Sequence, residues 1–332
     1  MDGSIARSGE DRLIARYFAP MAGPAGLALK DDAALLTPPE GADLVVTVDT
    51  VVASVHFFAD DPADAIAEKA LGVNLSDLAA KGASPLGFVM ALSLPDDWRD
   101  EWLAQFAEGL GRAAEKGRCP LLGGDTTRAA GPLSISITVF GAVPKGTMVR
   151  RTTAKPGDLI AVSGTIGDAA LGLKIRSAPE REWAAGLSEG DYAHLLGRYL
   201  RPQPRLNLAD VLRRHASAAM DVSDGLIGDC AKLLHASDVT GRLQIENVPL
   251  SPAAHIAIGF NPGLLVDAVT GGDDYEILFT IPLERLEDMI KDARAAGCPI
   301  TVIGAVEKGD QPLTVTHRGE RFLTRAGSFS HF

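Results

Sequence analysis

The alternation of hydrophobic and polar positions in the first half of the chain predicts both strands and helices. The β-branched run DLVVTVDT (43–50) and the strictly alternating LSISITVFGAV (133–143) are typical of β-strands. Residues 60–83 instead carry apolar positions at helical spacing, with a proline near the start and a glycine at the end. A second helical pattern covers about 97–115.

In the second half, strand patterns alternate with helical patterns. LIAVSG (159–164) precedes the helix-like DAALGLKI (168–175), and ASAAMDVS (216–223) precedes DGLIGDCAKLLHAS (224–237). The strand-like YEILFTI and ITVIGAV flank a further predicted helix at about 283–296. This alternation is typical of layered α/β domains.

A basic segment with two prolines and two glycines, 144–158, lies near the middle of the chain and is the best linker candidate. A chain of 332 residues is long enough for about two domains. We therefore predict an α/β fold with some α+β character and two domains. The N-terminal domain would cover 1–148 and a C-terminal α/β layered domain would cover 149–332.

The composition narrows the class of protein. With 46% hydrophobic residues a sizeable core can form, and the net charge of −11 argues against binding to nucleic acid or to an anionic membrane. The three cysteines fit neither a disulfide framework nor a zinc site, which favours a reducing compartment. The N-terminal residues do not resemble a signal peptide, and no apolar run approaches the ~20 residues that span a bilayer. We therefore expect a cytoplasmic protein.

Aspartates recur beside the apolar runs, mostly at the ends of predicted elements. They are Asp31, Asp32, Asp49, Asp77, Asp125, Asp221, Asp224, Asp273 and Asp274. Each one alone has an ordinary structural interpretation, because aspartate is common in turns beside glycine and at helix N-caps. Asp224 is a good N-cap candidate for the helix that follows it, and Asp229, one turn later, is expected to be solvated.

As a group, these aspartates suggest a metal site. Carboxylates gathered in one cleft repel by about 4 kcal/mol for a pair ~4 Å apart at an effective dielectric of about 20. Divalent cations bound by carboxylate oxygens would relieve that repulsion, and Mg²⁺ keeps open positions for phosphate oxygens. If the aspartates converge, we therefore expect a site that holds several Mg²⁺ ions on a nucleotide.

Other phosphate-binding signals are mostly missing from the sequence. It contains no G-x-x-x-x-G-K-[ST] loop, no G-x-G-x-x-G motif and no kinase-type H-R-D segment. SGTIGD (163–168) could hold an anion at a helix N-terminus, although a plain turn is the more common structure for such a segment. By its sequence context alone, His56 is an ordinary loop residue.

The motifs NLSDLAAKGA, GGDTTR and DVSDGL occur in this order along the chain. Together they are a specific signal and resemble the thiamine-monophosphate kinase family, whose superfamily includes aminoimidazole ribonucleotide synthetase and selenophosphate synthetase. KDDAALL, TVDTVVASVHF, AKPGDLIAVSGTIGDAALGL, GGDDYEILFT and the final FSHF extend the resemblance over essentially the whole chain. Two positions depart from the family pattern: Lys30 stands where the family usually has glycine, and Asp273 where it usually has glutamate.

The resemblance implies a mixed-sheet N-terminal domain whose strands pair with those of a second subunit, a C-terminal α/β domain, and hence a homodimer. It implies ATP-dependent phosphorylation of thiamine monophosphate to thiamine diphosphate, with several Mg²⁺ ions. The implied metal ligands are Asp32, Thr47, the carbonyl of Val48, Asp49, Asp77, Asp125, Asp221 and Asp224. ATP would contact Gly124, Asp125, Arg151 and Ser223, and thiamine monophosphate would contact His56, Asp273 and Phe329. No residue is assigned as a general base.

Three alternatives stay open on the sequence alone. The chain could be another ATP-using member of the superfamily. Selenophosphate synthetase, however, typically needs a reactive cysteine or selenocysteine near its N-terminus, and the first cysteine here is Cys119. The chain could instead be a regulatory protein that binds nucleotide or metal without turnover. It could also be a structural α/β protein whose aspartates are caps and turns.

Overall fold

The computed structural model describes residues 12–322, which divide into two compact units. One unit contains the described residues up to Leu75 together with Ser84–Lys145. The other contains Ser76–Ala83 and the described residues from Gly146 onwards. The chain thus passes into the second unit after Lys145, inside the segment predicted as a linker. That residues 1–148 bind ATP and Mg²⁺ and form the dimer interface, and that residues 149–332 complete the active site, stays a prediction.

The first unit begins with short helical turns and continues as strands and helices. A π-helix at Ile14–Phe18 and 3₁₀ turns at Ala19–Met21 and Pro24–Leu29 precede the sheet. The regular elements are β1 (Ala42–Val52), α1 (Ala63–Ala80), β2 (Ser84–Leu94), α2 (Asp100–Gly117), β3 (Leu121–Arg128) and β4 (Ser134–Pro144). The last residues of α1, from Ser76, belong to the second unit. The four elements predicted from periodicity are present, whereas the sequence pattern did not indicate β2 or β3.

The four strands form a mixed sheet in the order β1-β4-β2-β3. β4 pairs antiparallel with β1 and β2, and β2 pairs parallel with β3. On one face of the sheet, Val45 and Ile137 are buried. On the other face, Leu44, Val46 and Val48 of β1 are 45%, 55% and 58% exposed. Among the described residues 12–322, β1 is therefore an edge strand with an exposed apolar stripe.

A glycine allows the two long helices of the first unit to approach closely. A Cβ atom at Gly109 of α2 would lie 2.4 Å from the carbonyl oxygen of Asp64, in the first turn of α1. Leu103, Phe106 and Leu110 of α2 are completely buried. The helices can therefore bury their apolar faces only because this position lacks a side chain.

The second unit alternates strands and helices along most of its length. Its strands are β5 (Leu159–Ser163), β6 (Ala218–Asp221), β7 (Thr240–Gln244), β8 (Ile277–Ile281), β9 (Ile300–Glu307), β10 (Thr314–His317) and β11 (Glu320–Arg321). Its helices are α3 (Asp168–Ser177), α4 (Glu182–Ala185), α5 (Glu189–Leu200), α6 (Ala209–His215), α7 (Leu226–Ala236), α8 (Pro252–Phe260), α9 (Leu264–Thr270) and α10 (Leu286–Ala295). Short 3₁₀ turns occur at Leu206–Leu208, Ile245–Asn247 and Leu283–Arg285. Between residues 12 and 322, no helix combines the length and the apolar character needed to cross a membrane.

The seven strands form one sheet in the order β11-β10-β7-β9-β5-β8-β6. Neighbouring strands are antiparallel except β10 and β7, which are parallel. Every residue of β8 is buried. Alternate residues of β5 and β8 enter two hydrophobic clusters, one around Val162 and Leu278 and the other around Ala161 and Phe279. The sheet is thus covered on both faces, which confirms the predicted layered α/β arrangement.

A buried glutamate links several parts of the second unit. Glu276, directly before β8, is completely buried. Its carboxylate accepts hydrogen bonds from Arg198 Nη2 (2.9 Å), Arg205 Nε (2.7 Å) and Ser163 Oγ (2.6 Å). A buried carboxylate is tolerated when it is paired and hydrogen-bonded. The two arginines and the serine therefore allow Glu276 to sit in the core and connect α5, β5 and β8.

All three cysteines of the chain are buried free thiols. Burial raises the pKa of Cys119 to about 12 and that of Cys298 to about 11. Burial likewise raises the pKa of Cys230. The three thiols are therefore protonated and shielded from solvent at neutral pH.

Candidate active site

The residues expected to bind metal, nucleotide and substrate include two groups that line cavities, one in each compact unit. A cavity of about 400 Å³ in the first unit is lined by Asp32, Gly124 and Asp125. A cavity of about 460 Å³ in the second unit is lined by Asp77, Arg151, Asp221, Ser223 and Asp224. The structure therefore brings expected residues together within each unit. That both groups act on one nucleotide stays a prediction.

The first cavity depends on the close approach of β3 to β2. A Cβ atom at Gly124 would lie 2.0 Å from the carbonyl oxygen of Met90, so a side chain does not fit there. Asp125 follows on β3 and is exposed. Elsewhere in the lining, Asp31 Oδ1 accepts a hydrogen bond from the backbone N–H of Asp32 (2.8 Å), which shapes the turn that carries the acidic pair.

Lys30, before the acidic pair, does not need the conformational freedom of glycine. It has a φ of −110°, which any residue adopts. The left-handed conformations occur just before it, at Leu27, Ala28 and Leu29 (φ 51°, 58° and 53°). The unusual backbone of this segment therefore lies in the three residues before Lys30 and not at the position where the family usually has glycine.

Two expected metal ligands lie on the opposite face of the sheet from Asp125. The strand pairs that lead from β3 through β2 and β4 to β1 show that Asp125 lies on the same face of the sheet as Val48. Thr47 and Asp49 alternate with Val48 and so belong to the other face. The backbone N–H of Asp49 donates to Oδ1 of Asn74 on α1 (3.0 Å). The expected ligands of the first unit are therefore divided between the two faces of its sheet.

Of the residues expected to contact thiamine monophosphate, His56 is described by the structure and Phe329 is not. His56 lies in the turn after β1, and its Nδ1 accepts a hydrogen bond from the backbone N–H of Val52 (3.0 Å). This bond fixes the ring against the end of the strand. Phe329 lies outside the described residues.

Basic side chains surround the aspartates of the second cavity. Among the residues that the structure describes, four carboxylates and four cations line it: Asp77, Asp221, Asp224 and Asp229 with Lys81, Arg150, Arg151 and Lys232. The stretch 220–229 itself contains no lysine or arginine. The counter-charges come instead from the residue after α1, from the segment before β5 and from α7. This cavity thus offers carboxylates for a metal ion and cations for phosphate groups.

Asp221 and Asp77 repel each other beside the half-buried Lys81. Burial and then the charge of Asp77 raise the pKa of Asp221 to about 7. Burial lowers the pKa of Lys81, while the charges of Asp221 and Asp77 act in the opposite direction. The Lys81 ammonium donates a hydrogen bond to the carbonyl oxygen of Ala219 in β6 (2.8 Å). Two neighbouring carboxylates that repel each other form a favourable place for a divalent cation.

The structure corrects two predictions about the motif DVSDGLIGD. Asp224 does not cap α7, because the N-cap is Gly225, whose φ of 125° favours glycine and separates Asp224 from the helix. Asp229 was expected to be solvated but is completely buried. Its carboxylate accepts hydrogen bonds from backbone N–H groups of the loop before α7. Asp229 is therefore a cavity residue that the sequence interpretation missed.

The motif GGDDYE packs directly against the loop after β6. The backbone N–H groups of Asp273 and Tyr275 donate to the carbonyl oxygens of Ser223 (2.8 Å) and Val222 (2.9 Å). Asp273 and Tyr275 both adopt left-handed conformations, with φ of 72° and 50°. Non-glycine residues adopt this conformation at a cost that the surrounding structure must offset, and such residues cluster at functional sites. The structure therefore brings Asp273 beside Ser223.

The helix N-terminus considered for an anion already binds a carboxylate of the chain. Asp274 is buried and accepts hydrogen bonds from the backbone N–H groups of Gly167 (2.8 Å) and Ala169 (3.3 Å) at the start of α3. Burial raises the pKa of Asp274, and these N–H groups and the charge of Arg198 oppose that shift. SGTIGD therefore holds Asp274 in place of an external phosphate.

The donor chemistry of both cavities suits Mg²⁺, a hard cation that prefers oxygen ligands. In the part of the chain that the structure describes, no three His, Cys, Asp or Glu side chains form a group that could hold a metal ion by themselves. Mg²⁺ at nucleotide sites commonly uses one or two carboxylates and completes its coordination with water and phosphate oxygens. The pair Asp77 and Asp221 fits that mode of binding, in which the ion arrives with the nucleotide.

Comparison with known proteins finds relatives along nearly the whole chain. Two family models match: the N-terminal domain of AIR synthase related protein at residues 30–143 and its C-terminal domain at residues 155–315. Thiamine-monophosphate kinase of Escherichia coli is 40% identical over 328 residues, which cover 98% of this chain and 98% of the relative.

Solved structures show the same fold. Thiamine-monophosphate kinase from Stenotrophomonas maltophilia has a TM-score of 0.80 at 40% identity, covering 89% of this chain and 91% of that chain. A structure of AaThiL complexed with AMPPCP and TMP has a TM-score of 0.77 at 29% identity, covering 97% of this chain and 94% of that chain. The similarity therefore includes both compact units.

The raised pKa of Asp221 predicts a pH-dependent loss of stability in the metal-free protein. In the unfolded chain this carboxyl ionises near 3.8, whereas in the folded protein it stays protonated up to about pH 7. Between these values the folded state binds more protons than the unfolded chain. The contribution of Asp221 to the free energy of unfolding therefore falls as the pH rises, by at most about 1.4 kcal/mol per pH unit.

Urea unfolding in EDTA across this pH range measures that contribution as a difference between the wild type and Asp221→Asn. The variant should lose less stability than the wild type as the pH rises, and Asp97→Asn, an exposed carboxylate outside both cavities, should behave like the wild type. Identical pH dependence of the wild type and Asp221→Asn would contradict the assignment.

Proposed function

This chain belongs to the thiamine-monophosphate kinase family, and from this premise we propose that it phosphorylates thiamine monophosphate with ATP, producing thiamine diphosphate and ADP. The observation that carries the proposal is the match, over most of both chains, to a relative solved with AMPPCP and TMP. AMPPCP is an analogue of ATP, so that relative binds a nucleotide of the required kind. The 40% identity to the Escherichia coli kinase across 98% of this chain supports the same reaction.

The reaction needs positioning more than covalent chemistry. An oxygen of the substrate's phosphate forms a bond to the γ-phosphorus, in line with the bond to the β–γ bridging oxygen, which breaks as ADP leaves. The attacking phosphate is already largely ionised at neutral pH, so we assign no residue as a general base. The protein must align two anionic molecules and neutralise their charge.

Mg²⁺, when bound, would supply most of that charge neutralisation. We assign its ligands to Asp32, Thr47, the carbonyl of Val48, Asp49, Asp77, Asp125, Asp221 and Asp224. The shared cavity supports the assignment of Asp32 and Asp125, and the mutual repulsion of Asp77 and Asp221 supports that of this pair. Thr47, Val48 and Asp49 are assigned from the family resemblance alone.

We assign the nucleotide contacts to Gly124, Asp125, Arg151 and Ser223. Gly124 presents bare backbone at the wall of the first cavity. Arg151 is exposed in the lining of the second cavity, where its guanidinium can offer two parallel N–H groups to phosphate oxygens. Ser223 lies in the same lining, on the loop that carries Asp224.

We assign the substrate contacts to His56, Asp273 and Phe329. The thiazolium ring of thiamine carries a positive charge, which a carboxylate such as that of Asp273 attracts. The Tyr275 hydroxyl donates a hydrogen bond to Asp273 Oδ1 (3.3 Å), which helps to orient this carboxylate. Asp273 is one methylene shorter than the usual glutamate, so its place on the left-handed loop beside Ser223 determines its reach.

We place this reaction in the cytoplasm, without a nucleic-acid or membrane partner. The net charge of −11 would repel anionic polymers and lipid surfaces. Three buried thiols without a disulfide are typical of a protein from a reducing compartment.

We further propose that two copies of the chain associate through the four-stranded sheet. Leu44, Val46 and Val48 form an exposed apolar stripe on β1, at the end of the strand order. Proteins seldom leave such an edge uncovered, because it is a template for pairing with another chain. A second copy would bury the stripe around a two-fold axis and form an isologous interface.

Purified protein with Mg-ATP and thiamine monophosphate should form thiamine diphosphate and ADP in equal amounts. Asp77→Asn and Asp125→Asn should fold normally and lose turnover by roughly 100-fold or more, because each removes a charge that holds the metal–nucleotide complex. Chromatography of the products measures the rates, and Asp97→Asn should keep the wild-type rate. Tight ATP binding without product would contradict the kinase proposal. An active Asp77→Asn enzyme at ordinary Mg²⁺ would remove Asp77 from the ligand set.

Asp273→Ala should raise the KM for thiamine monophosphate by about 10- to 100-fold, because it removes the carboxylate that attracts the thiazolium charge. The KM for ATP should change much less. Asp267→Ala, which removes a carboxylate paired with Lys174, is a control that should leave both constants near wild type. A larger rise in the KM for ATP than in that for the substrate would place Asp273 outside the substrate pocket.

Val46→Lys should convert a dimer into monomers, because it would bury an ammonium group in an apolar interface. Sedimentation velocity measures the mass in solution. Leu283→Lys changes a leucine that is 65% exposed in the second unit and should leave the dimer intact. An unaltered dimer in Val46→Lys would exclude this face as the interface.

A further inference from the structure

The loop between β6 and α7 directs three consecutive backbone N–H groups at one oxygen atom. Asp229 Oδ2 accepts hydrogen bonds from the backbone N–H groups of Ser223 (3.0 Å), Asp224 (2.9 Å) and Gly225 (3.2 Å). Asp229 itself lies in the first turn of α7 and is completely buried. One side chain thus satisfies the donors of the whole turn that presents Ser223 and Asp224 to the second cavity.

The second oxygen of Asp229 is linked to Asp224 through a lysine. Lys232 Nζ donates to Asp229 Oδ1 (3.0 Å) and to Asp224 Oδ2 (2.5 Å). Lys232 is three residues after Asp229 on α7, so both lie on the same side of the helix. The orientation of the Asp224 carboxylate is therefore coupled to Asp229 by an ion pair as well as by the backbone.

The other side of the loop is closed by backbone. A Cβ atom at Gly225 would lie 2.3 Å from the carbonyl oxygen of Thr270, and one at Gly272 would lie 2.3 Å from that of Ser223. The loop is therefore held between the motif GGDDYE and the carboxylate of Asp229. Loss of the carboxylate would leave the backbone N–H groups of Ser223, Asp224 and Gly225 without the acceptor that they share.

We propose that Asp229 is a positioning residue of the active site, which holds the turn 223–225 and, through Lys232, the carboxylate of Asp224 in the geometry that receives the nucleotide. This inference rests on the proposed function for the roles of Ser223 and Asp224. Asp229 does not contact the nucleotide in this assignment and acts only through these neighbours. A site held in place before its ligand arrives loses less conformational freedom on binding.

The arrangement has two arms: the hydrogen bonds from the loop to Asp229, and the link from Asp229 through Lys232 to Asp224. Two substitutions break the Lys232 arm alone, and a third removes both arms. Asp229→Asn keeps an oxygen that can accept from the loop but presents an amide group to the Lys232 ammonium, so it breaks the ion pair. Lys232→Met removes the link to Asp224 and leaves the Asp229 carboxylate on the loop. Asp229→Ala removes both arms. Asp158→Asn is a matched control, because Asp158 is also buried and accepts a backbone N–H, that of Lys155 (3.0 Å), outside the cavity.

Amide hydrogen exchange of the ligand-free protein, measured by mass spectrometry, tests the hydrogen bonds between the loop and Asp229. This measurement does not depend on enzymatic activity. Peptides that cover residues 223–225 should exchange at least about tenfold faster in Asp229→Ala than in the wild type, and Lys232→Met should retain protection. Asp158→Asn should leave these peptides unchanged. If Asp229→Ala does not fold, Asp229→Asn replaces it. Its neutral amide oxygen is a weaker acceptor than the carboxylate and should give a smaller acceleration confined to the same peptides. Wild-type protection of 223–225 in the folded Asp229 variants would overturn the proposal, as would a uniform loss across the whole second unit.

Calorimetric titration with AMPPCP in the presence of Mg²⁺ tests the effect on the site. Asp229→Asn and Lys232→Met should weaken binding by about tenfold, which corresponds to about 1.4 kcal/mol. In kinetics, the KM for ATP should rise while that for thiamine monophosphate stays within about twofold, a split that a general loss of stability would not produce. Unchanged AMPPCP affinity in both variants would overturn the proposal. Failure of the proposed function would appear instead as absence of product in the wild type, with the exchange and titration results still decisive for Asp229.

Discussion

The fold of the second unit depends on hydrogen-bond donors for the carboxylates that it buries. Asp229 accepts hydrogen bonds from three N–H groups of a loop, and Asp274 accepts them from N–H groups at the N-terminus of α3. Glu276 accepts them from two arginines and a serine. An ionised carboxylate without such partners costs several kcal/mol in a protein interior, so each acid holds in place the elements that donate to it. These acids lie in the two motifs that also carry Ser223 and Asp273. The constraint that stabilises the core therefore also shapes the site.

The environment of Asp77 and Asp221 differs from that of Asp229, Asp274 and Glu276. Asp77 and Asp221 repel each other, and burial raises the pKa of Asp221 further, while Lys81 only partly offsets these effects. The acids and cations that line this cavity are equal in number among the described residues, yet this pair stays incompletely compensated. A cation that arrives with phosphate groups would complete the balance from both sides. The requirement for a metal would thus follow from how the chain distributes its own donors.

The elements with strong local periodicity, such as β1 and α1, could be predicted from the sequence, whereas β2 and β3 could not. β2 (Ser84–Leu94) contains proline and glycine, and the centre of β3 is G-G-D, which is typical of a turn. The N-cap prediction for Asp224 was wrong because Gly225 separates it from the helix. The burial of Asp229 had a usable signal, since an acid in the first turn of a helix can bond to N–H groups of the preceding loop. The family resemblance, not the spacing, indicated which acids would share a cavity.

The burial of all three cysteines has a practical consequence for observing this protein in motion. Thiols that are protonated and inaccessible to solvent react slowly with maleimides and similar reagents. A cysteine introduced at an exposed position would therefore accept a fluorophore or spin label selectively, and the native cysteines would not need replacement. Labels placed around the turn after β6 could then report its movements during catalysis in an otherwise native protein.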